Sequence, residues 1–301
     1  MKLSVLQQKP RFGYDQLTQT PSLELLKSQS ALTLADTFDL LDEAGRRGSD
    51  LAVTIEAVNM HLLWADMRWP YSEVYEGLDS PLVRRFSDCA RKWRMHIVAG
   101  LYLTLEGKTY NCAVLFDDEG RILGLHRKVH LPAGEEFQVA HGDALDVFET
   151  KLGRIGMLVC WDMQFPEAPR TLALQGADLL VCPTLGWENL YGLCRAYENS
   201  VPIAAAMGIP ANEPLYSGCD PSCIVDSMGR ILAAAPRDGS AVVTCELDLA
   251  CEPAPQYGSE HYIDSTSMRK TRFSQRRPET YRTLVRPNCE TPLYDRYFNK
   301  S

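Results

Sequence analysis

Hydrophobic and polar positions along the chain fall into short blocks that switch between a strand period and a helix period. "KLSVLQQ" near the start is an apolar run of strand length. "ALTLADTFDLLDEAGRRG" repeats apolar residues at helical spacing through Leu34, Phe38 and Leu41 and meets a stop at Gly48. "DLAVTIEAV" predicts a strand that carries a carboxylate, Glu56, near its end, and "PLVRRFSDCARKWR" predicts a second amphipathic helix. "HIVAGLYL" and "NCAVLFDDEGRILGLHRKVH" predict three strands, the last two joined by an Asp-Asp-Glu-Gly turn. "ALDVFETKLGRIGMLVC" reads as a hairpin, "EAPRTLALQG" as a helix and "ADLLVCPT" as a strand. "LYGLCRAYENS" then gives a helix and "VPIAAAMGI" a strand, and "PSCIVDSMGRILAAA" and "SAVVTCELDL" complete the strand set.

Alternating strands and helices predict an α/β protein. The strand–turn–strand units 111–126 and 222–235 require antiparallel pairing, so the sheets are mixed. Many strands for few helices predict two sheets packed face to face with helices outside. There is no repeat or low-complexity linker, so residues 1–301 are expected to form one domain. Residues 256–301 are rich in Pro and Arg and lack periodicity, yet carry Tyr262, Tyr281, Leu284, Tyr294 and Phe298. They are expected to form an arm that packs on the body or on a partner subunit.

Composition narrows the function classes. A chain of 301 residues, 45% hydrophobic and 23% charged, can bury a core without staples. A net charge of −8 argues against nucleic acid as a partner. No apolar run reaches membrane-spanning length and the N-terminus has no secretory apolar region, so the expectation is a cytoplasmic protein without a membrane partner. Ten scattered cysteines read as free thiols rather than a disulfide framework. Cys219 and Cys223 have the spacing of half a zinc site, but no second pair completes it, so no metal is expected.

Three polar residues sit where apolar strands end: Glu56 in "LAVTIE", Lys128 in "LHRKVHLP" and Cys160 in "IGMLVC". Strand ends along one edge are where α/β enzymes place their sites. A carboxylate can take a thiol proton, and an ammonium can hold a developing oxyanion alongside the backbone N–H of Trp161. Taken singly, each also has a plain structural reading, as a turn partner, a surface charge or a core thiol.

The motifs around these residues resemble the nitrilase, or carbon–nitrogen hydrolase, superfamily over nearly the whole chain. "DLAVTIEAV" resembles its glutamate strand, "HRKVHLP" its lysine motif, and "GRIGMLVCWDMQFPEAPRTLALQGADLLVCPT" its nucleophile motif. "RAYENSVPIAAA", "CIVDSMGRILAAA" and "RRPETY" resemble its later segments. One departure is Ile55, where the family usually has a proline before the glutamate. The resemblance implies an αββα sandwich and a triad of Glu56 as base, Lys128 as oxyanion-stabilising cation and Cys160 as nucleophile. It also implies a second glutamate after the lysine, with Glu135, seven residues past Lys128, ahead of Glu136. No cofactor is implied.

The expected reaction is hydrolysis of a linear amide or N-carbamoyl compound through a Cys160 thioester. Asp162 in "CWDMQFPE" favours those substrates over nitriles on the same resemblance. A nitrilase, an acyltransferase and an idle binding module on the same fold stay open, as does a Cys–His enzyme using His126, His130 or His141. Trp64, His130, Trp187 and Tyr191 are candidate substrate contacts, and Arg195 is expected to anchor its helix to Glu198. A homodimer or larger homo-oligomer is expected from the arm.

Overall fold

A computed structural model describes residues 1–9, 22–60, 67–209, 218–250, 263 and 266–298. The described residues divide into two compact units, Met1–Cys251 and Glu252–Ser301. In the first, the strands are β1 (Lys2–Gln7), β2 (Leu51–Val53), β3 (His96–Leu105), β4 (Lys108–Phe116), β5 (Ile122–Arg127), β6 (Val147–Thr150), β7 (Gly153–Met157), β8 (Leu179–Thr184), β9 (Ile203–Met207), β10 (Cys223–Val225), β11 (Ile231–Ala234) and β12 (Ala241–Glu246). Among the described residues they form two six-stranded sheets, in the orders β12-β1-β2-β3-β4-β5 and β11-β10-β9-β8-β7-β6. Both sheets are mixed. β1, β2 and β3 run parallel, as do β7, β8 and β9, while the flanking strands are antiparallel.

The alternation of side chains along each strand explains the layers. Leu3, Val5, Val53, Val98 and Leu115 of the first sheet share one core with Ile155, Met157, Val181 and Ala204 of the second. Leu6, Ala52, Ile97 and Val114 point the other way, toward Leu41 of α1 (Leu23–Arg46) and Phe86 of α3 (Pro81–Trp93). The second sheet carries α4 (Glu167–Leu174), whose Leu172 lies so close over Gly156 that a Cβ there would come within 3.1 Å of it. Helix α5 (Asn189–Asn199) follows β8. The order is therefore helix, sheet, sheet, helix, the αββα sandwich expected from the sequence.

Four elements differ from the sequence expectation. Helix α1 begins eight residues before Ala31, because Ser22 accepts from the Leu25 N–H as an N-cap. A four-residue helix, α2 (Tyr71–Val74), follows Pro70 and buries Tyr71 and Val74. In the second unit the segment without visible periodicity contains α6 (Met268–Ser274), capped by Ser267, and α7 (Pro292–Phe298), with Tyr294 stacked on Phe298. Tyr262 lies outside the described residues.

Candidate active site

Glu56 follows β2, Lys128 follows β5, and Glu135 sits in a 3-10 turn, Glu135–Phe137. All three side chains are buried. The Lys128 Nζ donates to Glu56 Oε1 at 2.8 Å and to Glu135 Oε2 at 2.8 Å. Glu136, the alternative second glutamate, is exposed. The Lys128 ammonium has three N–H groups and these bonds use two. Burial alone would lower its pKa, but Glu56, Cys160 and Glu135 together hold it well above the usual lysine value. Burial raises the Glu135 pKa, with Lys128 opposing and Glu56 adding to the rise.

Cys160 opens the 3-10 turn Cys160–Gln164 that follows β7. Its φ of 45° lies in the left-handed region, which costs a non-glycine residue on the order of 1–3 kcal/mol and marks a position held by its surroundings. The Thr184 side chain and the Leu185 N–H lie beside the thiol and favour its anionic form. The same Leu185 N–H donates to Glu56 Oε2 at 2.9 Å. A single amide thus borders both the sulfur and the free oxygen of the carboxylate. Burial, and then Glu56, push the thiol up to about 12 against the opposing pull of Lys128, so the resting group is the neutral thiol. Among the described residues no acceptor meets the Trp161 N–H.

Two residues outside the expected set complete the arrangement. Asn111, in β4, donates through Nδ2 to Glu56 Oε1 at 2.7 Å and to Glu135 Oε1 at 2.8 Å. Asp162, fully buried, accepts from the N–H groups of Val129, His130 and Val159 at 3.1, 2.9 and 3.1 Å. It also pairs with His126 Nε2 at 2.9 Å and His130 Nδ1 at 2.8 Å. Burial would raise its pKa, but the bonds from His126 and His130 outweigh that and hold it well below the usual aspartate value. One carboxylate therefore joins the residue after Lys128 to the residue before Cys160. A polar residue two places past the candidate nucleophile was the available signal for Asp162. For Asn111 the signal was a polar amide leading directly into the apolar run 112–116 of the same strand.

The histidines have other partners than Cys160: His126 and His130 bind Asp162, and His141 Nδ1 binds the Val129 carbonyl at 2.8 Å. His130 also stacks on Phe165, with ring centroids 4.0 Å apart. Trp187 is completely buried, its indole donating to Asn189 Oδ1 at 2.9 Å, so it offers a ligand no surface. Tyr191 packs edge-on against Trp187 and donates its hydroxyl to the Gly186 carbonyl at 2.6 Å. Trp64 lies outside the described residues. Arg195 joins Glu198 at 3.3 Å and the Gln164 carbonyl at 3.3 Å, tying α5 to the turn that begins at Cys160. No cluster of three or more metal-ligating side chains occurs, and no helix is long and apolar enough to cross a membrane, among the described residues.

Comparison with known proteins agrees with this architecture. The carbon-nitrogen hydrolase family model matches residues 16–253. A probable nitrilase from Schizosaccharomyces pombe is 32% identical over 219 residues, covering 69% of this chain and 76% of its own. The N-carbamoylputrescine amidase of Solanum tuberosum is 30% identical over 244 residues, covering 72% of this chain and 77% of its own. The crystal structure of a carbon-nitrogen hydrolase from Helicobacter pylori shares the fold with a TM-score of 0.72 at 23% identity, covering 95% of this chain and 98% of that one. The chain belongs to the carbon-nitrogen hydrolase family, enzymes that cleave carbon–nitrogen bonds other than peptide bonds.

Proposed function

We propose that this enzyme hydrolyses a linear amide or an N-carbamoyl compound, releasing ammonia or an amine, with Cys160 as nucleophile, Glu56 as base and Lys128 as oxyanion donor. The observation that supports it best is a pair of unclaimed donors. Two Lys128 N–H groups are spent on carboxylates and the third is not, and the Trp161 N–H has no acceptor among the described residues. Those two donors suit the oxygen of a tetrahedral intermediate.

Glu56 Oε2 takes the thiol proton as Cys160 Sγ bonds to the carbonyl carbon. The oxyanion collapses, the carbon–nitrogen bond breaks, and the leaving nitrogen takes the proton from Glu56. Water then gives a proton to Glu56 and attacks the thioester. The acid leaves and the proton returns to sulfur, so the cycle balances as amide plus water to acid plus ammonia or amine. Glu135 holds Lys128 in place throughout. The Solanum tuberosum relative, an N-carbamoylputrescine amidase, agrees in substrate class with what Asp162 in the nucleophile motif suggests.

The test is ammonia release over panels of linear amides, N-carbamoyl amines and nitriles, with Cys160→Ala as control. Turnover on amides or carbamoyl compounds that vanishes in the control is the expected result. Turnover confined to nitriles, or undiminished in the control, overturns the proposal.

A further inference from the structure

The reaction above makes no use of Asn111, although this buried amide touches three of its members. Its Nδ2 donates one N–H to Glu56 Oε1 and one to Glu135 Oε1, and its backbone carbonyl accepts from the Lys128 N–H at 2.7 Å. Carboxylates only accept, so the amide nitrogen must face them. That orientation leaves Oδ1 buried with no partner among the described residues. An unpaired buried acceptor costs stability, so neither packing nor the carbonyl explains an asparagine here; its two donors do.

We propose that Asn111 is a positioning residue that keeps Glu56 and Glu135 ionised together and aimed at Lys128, so that Glu56 stays available for the Cys160 proton near neutral pH. The inference rests on the reading of Glu56 and Cys160 given above. Two carboxylates sharing one ammonium repel, and one of such a pair tends to take up a proton. Lys128 answers with one N–H to each and must keep its third for substrate. A neutral group with two N–H donors stabilises both anions without adding charge or consuming that third donor. A serine supplies one donor, and a second lysine would supply a charge that competes for the thiolate.

The remaining titratable groups facing the pair are Lys128 after β5, Cys160 after β7, Cys182 on β8 and Tyr102 on β3. Burial raises the two thiols and the phenol, which therefore stay neutral through the acid range.

The test reads Cys160 directly, by its rate of alkylation with iodoacetamide against pH in wild type, N111D and N111A, each checked as folded by circular dichroism. N111D replaces the donor with a third acid of the same shape; N111A removes both donors and, should N111D not fold, carries the test. The expected result is an acid limb moved up by about one pH unit or more, with the rate at high pH largely recovered. On an amide substrate, kcat should fall while KM stays within about threefold. A uniform rate loss with the limb unmoved means a merely structural role and overturns the inference. Wild-type Cys160 that is no more reactive than the other thiols would instead overturn the catalytic reading itself.

Discussion

Replacing Asp162 by asparagine keeps its shape and removes its charge, and the consequence can be worked from its five bonds. Oδ1 accepts from Val129 N, His130 N and His130 Nδ1, and Oδ2 from Val159 N and His126 Nε2. The new amide nitrogen is best placed at the Oδ2 position, where His126 can turn a bare ring nitrogen toward it. Val159 N–H, fully buried, then faces a donor and is left unpaired, at about 1–3 kcal/mol. The three bonds to Oδ1 lose their charge assistance, at roughly 1 kcal/mol each. Relief from burying a charge and the new bond to His126 offset part of this, leaving a net loss of about 3 kcal/mol. For a unit of this size that is roughly 6–12 °C in melting temperature. Activity should fall further than stability predicts. Val159 precedes Cys160 and Val129 follows Lys128, so freeing the first and weakening the second lets the Cys160 thiol and the Lys128 ammonium drift, and a 1 Å drift costs about 10²-fold in the proposed reaction. Thermal unfolding by calorimetry and kcat on a turned-over amide measure the two effects. A melting temperature within about 2 °C of wild type together with kcat within about threefold would refute the reasoning. Because the Asp162 pKa is depressed on folding, its stabilisation is present above the ordinary aspartate value and is lost as pH falls from there toward the folded value. D162N should therefore lie closer to wild type in melting temperature at pH 3 than at pH 7, if both remain folded there.

Three further outcomes follow from neighbouring geometry. Lys128→Met strands two buried carboxylates with Asn111 as their shared donor and should cost about 3–5 kcal/mol in urea unfolding at neutral pH; the deficit should shrink toward pH 4.5 as a carboxylate takes up a proton, and a deficit independent of pH counts against the buried cluster. Gly100→Ala would set a Cβ 2.4 Å from the Ile55 carbonyl oxygen and 2.8 Å from the Glu56 Cα, so the glutamate turn must move; kcat/KM should drop by about tenfold or more at a stability cost of about 1–3 kcal/mol, and unchanged kinetics would mean the turn's position is immaterial. Since burial holds Cys160 as a neutral thiol, Glu56→Gln should slow its iodoacetamide modification at pH 7 by about 10²-fold, whereas an unchanged rate would show that the thiolate forms without that carboxylate.

Much of the sandwich is legible in the sequence because its inner strands are buried on both faces. Runs such as 179–182 and Ile203–Met207 are apolar from end to end, which sequence alone can find. The seven-residue helices α6 and α7 were not legible, since two turns are too short to establish a helical period. The clustering of Glu56, Lys128 and Glu135 was signalled by family motifs rather than by periodicity. Asn111 was missed because its partner Glu56 is 55 residues away and only strand register brings them together. Asp162 was read as a clue to substrate class, whereas its buried carboxylate fastens two strand ends to each other. Trp187 looked like a pocket wall because loop aromatics are common in binding sites, but its ring fills the space above Gly192, where a Cβ would come within 2.1 Å.

The groups assigned to the proposed reaction are divided between the two sheets, and this division explains why so much polar bonding surrounds them. Glu56, Asn111 and Lys128 belong to the first sheet or its strand ends, while Cys160, Thr184 and Leu185 belong to the second. The core between the sheets is apolar and non-directional, so it fixes their spacing without fixing how one slides on the other. Directional bonds must set that slide. Leu185 N to Glu56 Oε2 and Asp162 to Val129 and His130 each run from one sheet's strand ends to the other's. In the proposed reaction the proton that passes from sulfur to carboxylate crosses the same boundary, so the bonds that register the sheets also set the distance over which it moves.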